Sequence, residues 1–337
     1  MTDREILKQN FLQKHNFAHY RRDKMKEDAS FRKYERITTD HKTYLLMDAP
    51  PDKEKVIPFI EIGNFLYNNN FSAPEIIAQD TDNGFLLLED FGDELYTKVL
   101  SENEKDEEYF YRIAINALIQ LQNTEIKDNF LPKYDDETLI NEALLFTQWY
   151  LPILTGEQTK DELVEEYKEI LIYLLQYTKS LGEVFVHRDY HADNLLWLEE
   201  REGTSRVGII DFQDAVIGSP IYDMVSILSD VRRDVSQDTV DKMISHYLNA
   251  KPSISRKDFL SSYAILGAQR NLKIIGIVAR KSLRDHNSSY LNLLPRAWKH
   301  VETSLKHPLL LPLQKWLNKV VTPGMINNAN KTHKILA

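Results

Sequence analysis

The stretch VFVHRDYHADNLLWL, Val184 to Leu198, constrains this chain more than any other. Two short apolar runs enclose two His, two Asp and one Asn, and a further apolar run, RVGIIDF, delivers Asp211 17 residues beyond Asn194. Short apolar runs bounded by polar clusters read as strands. The spacing therefore predicts a strand-loop-strand unit, set among helices, whose strands hold a polar loop rigid. Asn and Asp offer hard oxygen ligands suited to Mg²⁺ bound together with phosphate oxygens, which leaves Asp189 as a base. A polar turn that merely caps two strands would use the same residue types.

The surroundings divide in character. From about Ala29 to Asp90 the segments SFRKYERI, KTYLLMDA, PEIIAQD and GFLLLED read as extended, around one helix with Val56, Phe59, Ile60, Gly63 and Leu66 on one face. Beyond Gly92, apolar residues recur at helical spacing over 94–122, 138–179 and 240–301, with SENEKDEE near a helix start and Pro220 opening another helix. The tail NNANKTHKILA is expected to fray.

Composition narrows the function classes. The 337 residues carry no Cys, which excludes disulfides and thiolate chemistry, and a net charge of −9 argues against a broad nucleic-acid surface. The N-terminus lacks the apolar core of a secretory signal, and no apolar run approaches the ~20 residues that cross a bilayer. The expected address is the cytosol, with no membrane and no obligate protein partner.

The loop HRDYHADN followed by DFQ fits the kinase pattern H-R-D-x-x-x-x-N and Asp-Phe, in which one residue is the base and two bind metal. Asp189 would orient the acceptor hydroxyl and take its proton, while Asn194 and Asp211 hold Mg²⁺ against the ATP phosphates. The longer stretch VHRDYHADNLLW…IIDFQDAVIGSPIYDMVSIL resembles small-molecule kinases of the aminoglycoside phosphotransferase and choline kinase type. That resemblance implies that His187 props the catalytic loop and that Asp223 anchors it. DASFRKYERI, LLMDAPPDKE, GFLLLEDFGD, LFTQWYLP and GAQRNLKIIGIVAR further resemble the anomeric kinases of N-acetylmuramate and N-acetylglucosamine, which serve peptidoglycan recycling. The implied fold is α+β and two-lobed, protein-kinase-like: a small sheet-rich, nucleotide-binding lobe over residues 1–92 and a larger, mainly helical lobe over 93–337 with the catalytic loop and sugar site. The implied partners are ATP, Mg²⁺ and a small sugar acceptor.

The chain also departs from the kinase pattern. The strand KTYLLMDAP places Met47 and Asp48 where protein kinases carry a phosphate-binding Lys, and Lys42 lies about 16 Å away along a strand. Arg32, with Ser30, is the leading candidate to meet the phosphates instead; solvated strand-edge charge is the other reading for Arg32, Lys33 and Arg36. Glu61 is either the counterpart of the kinase helix Glu or a surface residue. LLLEDFG is the expected hinge, with backbone around Glu89 to Phe91 on the adenine edge and Gly92 turning the chain. Acceptor candidates are His191, Asp193, Asp214 and Arg270, the last set beside Gln269 in an apolar helix and pairing with a sugar acid or a structural carboxylate. Trp149 and Tyr150 either stack on a sugar or belong to the core. Two competing readings stay open: another hydroxylated acceptor, such as an aminoglycoside or amino alcohol, and a pseudokinase, which Met47 alone supports.

Overall fold

The computed structural model describes residues 3–25 and 31–321, so Ser30 and the NNANKTHKILA tail lie outside the described residues. In chain order the elements are α1 (Asp3–Lys14), β1 (Arg21–Lys24), β2 (Lys33–Thr38), β3 (Thr43–Asp48), α2 (Ile57–Asn68), β4 (Ile76–Asp80), β5 (Phe85–Glu89), α3 (Tyr96–Glu102), α4 (Glu107–Gln122), α5 (Asp136–Ala143), α6 (Leu151–Thr155) and α7 (Asp161–Leu175). There follow β6 (Val184–Val186), β7 (Leu195–Trp197), β8 (Val207–Ile209), β9 (Val216–Gly218), α8 (Tyr222–Leu228), α9 (Gln237–Ala250), α10 (Arg256–Arg284), α11 (Leu294–Ser304) and α12 (Leu311–Val320). The class is α+β, as the sequence predicts.

The chain forms two compact units, Met1–Ala117 with Asp193–Ala215, and Leu118–Ala192 with Val216–Ala337. A lobe boundary at Gly92 follows the kinase resemblance; by packing, the chain divides elsewhere. The reason is hydrogen bonding: Ile209 N–H donates to Ser72 O at 2.7 Å and Trp197 N–H to Glu94 O at 2.7 Å, which attaches β7 and β8 to the first unit.

In that unit five antiparallel strands run in the order β1-β2-β3-β5-β4. Their apolar face buries Ile37, Leu46, Phe85 and Leu87 against Phe11 and Leu12 of α1. Helix α1 docks through charge as well as through Phe11 and Leu12. Its buried Lys8 reaches Glu35 at 2.6 Å and Asp48 at 3.2 Å. Burial alone would lower that ammonium's pKa, but the two carboxylates raise it, so it stays charged. Asp48 is therefore committed to α1. On α2, Phe59 packs its ring 4.9 Å from that of Phe212, and a Cβ on Gly63 would sit 3.2 Å from the same ring.

In the second unit β6 pairs with β9, not with the strand that follows the loop; β7 pairs with β8 in the first unit. Behind β6 runs α10, 29 residues long. Its Gly276 lies so close to the turn at Leu145 that a Cβ would come within 2.3 Å of the Leu145 carbonyl carbon. Gln269 donates to Leu139 O at 2.9 Å, tying α10 to α5. The FTQWY segment is a π-helical turn from Phe146 to Tyr150. Tyr150 is buried with Phe146 and Trp298 and accepts from Trp298 Nε1 at 3.0 Å, so it belongs to the core, while Trp149 is half-buried.

Candidate active site

The second unit carries Asp189, the expected base. Strand β6 ends at Val186, and the loop that follows is pinned by Asp223, in the first turn of α8 and 1% exposed. Its carboxylate accepts the N–H of His187 at 2.7 Å and of Arg188 at 3.0 Å. Burial pushes the Asp223 carboxyl up to about 7 against the pull of those two donors. His187 is fully buried, and its Nδ1 accepts the Asp189 N–H at 3.3 Å. Its position is compatible with the prop that the resemblance implied. Arg188 takes φ +74°, a conformation that costs a non-glycine residue roughly 1–3 kcal/mol and that turns the chain just before Asp189.

Asp189 itself is half-buried and faces a buried arginine. Arg270 Nη2 stands 3.2 Å from Asp189 Oδ1, while Nη1 donates to Arg188 O at 2.6 Å and to the Tyr222 hydroxyl at 3.3 Å. Burial alone would raise the Asp189 pKa, but the Arg270 guanidinium together with His191, Lys273 and His187 more than offsets it, and the carboxyl stays well below the usual range. Arg270 is thus matched to a carboxylate of the protein. Behind it, Glu142 of α5 receives Lys273 Nζ at 2.8 Å and also Arg188 and the Tyr134 hydroxyl. His191 is 3% exposed, and burial together with Arg232 keeps its imidazole neutral. Asp230 receives the Ala192 N–H at 3.3 Å and the Arg232 N–H at 2.9 Å, which fixes the far end of the loop.

The first unit carries Asn194 and Asp211, the expected metal residues. Asn194 leads into β7 and Asp211 follows β8, and the pairing of those strands brings Asn194 Nδ2 to 3.4 Å from Asp211 Oδ2. Asp211 has φ +62° and is exposed, with Gln213 Nε2 at 2.9 Å from its other oxygen. One carboxylate and one amide suit Mg²⁺, which takes few protein ligands and completes its shell with water and phosphate oxygens. No cluster of three or more His, Cys, Asp or Glu able to cage a metal occurs among the described residues. The donor set fits a metal shared with a phosphate chain.

Arg32, just before β2, places Nη2 3.4 Å from Glu54 Oε2 and Nη1 4.0 Å from Asp211 Oδ1. Glu54 did not stand out in the sequence; Glu61 did, and it is exposed on α2. Arg36 is instead bound to Asp90 at 2.7 Å and Asp93 at 2.8 Å, clamping the turn around Gly92. Glu89 is occupied: its N–H donates to Glu75 O and its carboxylate takes Arg201 at 2.6 Å. The Phe91 ring packs on Gly208 and under Arg201. Asp193 accepts from Thr97, so it helps to anchor α3, and Asp214 is exposed beside Gln213.

The structure therefore gathers the sequence-predicted residues in two sets. Asp189, His191 and Arg270 stand together in one unit, and Arg32, Asn194 and Asp211 in the other. Sequence reasoning missed Glu54, Glu142, Asp230 and Lys273. Only Lys273 left a signal, a second cation one helical turn from Arg270 in an apolar helix.

A family model described as the phosphotransferase enzyme family matches residues 24–256. An N-acetylmuramate/N-acetylglucosamine kinase of Caulobacter vibrioides is 32% identical over 95% of this chain and 97% of its own length. The protein of that name from Pseudomonas aeruginosa is 35% identical over 86% of each chain. Among solved structures, the ADP-bound aminoglycoside phosphotransferase APH(2'')-Ib aligns with a TM-score of 0.61 at 15% identity, covering 90% of this chain and 99% of that one. A choline/ethanolamine kinase family protein from Mesorhizobium loti aligns with a TM-score of 0.63 at 10% identity, over 94% and 99%.

Proposed function

The chain belongs to the phosphotransferase enzyme family, and on that premise we propose that it is an ATP- and Mg²⁺-dependent kinase acting on the anomeric hydroxyl of N-acetylmuramate, N-acetylglucosamine or both. The curated relatives carry that substrate pair in their names. The place of such a reaction is the recycling of peptidoglycan sugars in the cytoplasm. No helix among the described residues is long and apolar enough to cross a membrane. Functionally, residues 1–92 serve the nucleotide and residues 93–337 carry the catalytic loop and the acceptor.

Asp189 accepts the proton of the sugar hydroxyl as that oxygen attacks the terminal phosphorus of ATP, and the bond to the departing ADP breaks. Asn194 and Asp211 would hold Mg²⁺, which would supply charge neutralisation at the phosphate oxygens when bound. The observation that carries this reading is the Asp189–Arg270 pair. A carboxylate kept so far below its usual pKa is a weak base, and it acts chiefly by orienting the hydroxyl. The anomeric hydroxyl is the most acidic hydroxyl of a reducing sugar, so it makes the least demand on such a base. His191 and Asp214 are acceptor-side candidates, and the backbone after Glu89, at Asp90 and Phe91, is the candidate adenine hinge.

The test is an ADP-release assay across N-acetylmuramate, N-acetylglucosamine, their 1-O-methyl glycosides, an aminoglycoside and choline. Release with the free sugars and none with the blocked glycosides is the expected result. Release with the aminoglycoside or choline alone would replace the sugar reading.

A further inference from the structure

The strand Lys that protein kinases direct at the nucleotide phosphates is absent here, yet the structure supplies a cation to the same neighbourhood. Met47 is fully buried on β3, directly across from Tyr34 on β2, and the Tyr34 hydroxyl donates to Met47 Sδ at 3.4 Å. The slot on the strand is closed by those two side chains. Above it lies Arg32, two residues before Tyr34, which also hydrogen-bonds to the Tyr34 hydroxyl. Its side chain is only 11% exposed, so the guanidinium is held against its neighbours.

We propose that the Arg32–Glu54 ion pair replaces the kinase Lys–Glu pair, with Arg32 binding the nucleotide phosphates and Glu54 positioning it. Three observations carry this, and all lie within one compact unit. First, Arg32 Nη1 is 4.0 Å from Asp211 Oδ1, close enough for one phosphate oxygen to meet both the guanidinium and a metal ion held by that carboxylate. Second, Glu54 Oε2 is 3.4 Å from Arg32 Nη2, on the far branch of the same guanidinium. One branch is thus held by Glu54 while the other points to Asp211. Third, several neighbouring cations are committed elsewhere. Lys8 and Arg4 serve Asp48, Arg36 serves Asp90 and Asp93, and Lys42 lies over the Tyr44 ring at 4.8 Å.

An arginine also suits the task chemically, because its planar fork can engage carboxylate and phosphate at once, which a point-charge ammonium does less well. The strand itself is then left to packing.

This inference rests on the proposed kinase reading, and the experiment separates the two. Binding of ADP and of adenosine is measured by calorimetry in the presence of Mg²⁺, with no acceptor and no turnover, for wild type, Arg32→Ala, Arg32→Lys, Glu54→Gln and Lys42→Ala. Arg32→Ala is expected to weaken ADP by about 10- to 100-fold, the loss of one or two charge-assisted hydrogen bonds, while adenosine affinity holds. Arg32→Lys recovers part of the loss. Glu54→Gln weakens ADP by a smaller factor, about 3- to 10-fold, again without touching adenosine. Lys42→Ala binds like wild type. A merely structural role would move ADP and adenosine together. If Arg32→Ala binds ADP as wild type does, the inference is overturned; if wild type itself binds no ADP, the kinase reading fails first.

Discussion

The molecule uses an arginine against an aspartate twice, and the two pairs are built differently. Arg270 is buried to 4% exposure, locked by three contacts, and 3.2 Å from Asp189. Arg32 is paired with Glu54 at 3.4 Å, also hydrogen-bonds to the Tyr34 hydroxyl, and stands 4.0 Å from Asp211, which is exposed. On the proposed reading the first pair belongs to the base and the second to the phosphates. A base must keep one protonation state and one direction, whereas a phosphate clamp must exchange part of its partner set for the ligand at each turnover.

The largest effect should come from Asp189→Asn, which removes the proton acceptor and keeps the shape. Turnover should fall by about 10²- to 10⁴-fold, while ADP affinity, measured by calorimetry, stays at the wild-type value. Next is Arg270→Met. Breaking a pair with one buried and one half-exposed partner should cost about 2–3 kcal/mol in urea unfolding, below the full figure for buried pairs, and kcat should fall with it. Glycine substitutions sharpen the same contrast. Gly276→Ala drives a Cβ to within 2.3 Å of Leu145 backbone, and should cost about 3 kcal/mol because neither helix nor turn can yield. Gly63→Ala meets only the edge of the Phe212 ring at 3.2 Å, and about 1 kcal/mol is expected because a ring can shift.

The pH profile separates two carboxyls. Asp189 is depressed, so it is ionised throughout the neutral range and its contribution disappears only as pH falls through that low value. It supplies no acid limb near neutrality. Asp223 is raised to about 7, so the folded state holds its proton more tightly than the unfolded state does. Its effect on stability is therefore a decline as pH rises from the usual carboxylate range through 7. Its effect on activity runs the other way, because both oxygens are needed to accept the loop N–H groups and the ionised form does this best. An acid limb in kcat near pH 7, accompanied by falling thermal stability over the same interval, is the expected pair of results. Asp223→Asn should abolish the titration along with most of the rate.

Much of this was legible in the chain because period and spacing carry it. The four strands from Lys33 to Glu89, helix α2 and the long helices announce themselves by their apolar patterns, and HRDYHADN with IIDF announces the loop. Other features left no such mark. Helix α1 docks through Lys8, Glu35 and Asp48, residues 27 and 40 positions apart from one another's partner, and no local pattern encodes that contact. Arg188 and Asp211 both take positive φ, and the Arg188 N–H is held by Asp223, a contact between distant positions that no local pattern encodes. Arg270 was visible as a cation in an apolar helix, but whether it served a sugar acid or a carboxylate of the protein depended on the fold. Glu54 and Glu142 looked like any surface glutamate until packing gave them partners.

The central claim, that Asp189 activates an anomeric hydroxyl, is tested most directly by ³¹P NMR of the product formed from MgATP and N-acetylmuramate or N-acetylglucosamine. A phosphorus signal coupled to the anomeric proton, formed by wild type and lost with Asp189→Asn, is the predicted result. A phosphate on any other hydroxyl, or equal yield from the Asn variant, would contradict it.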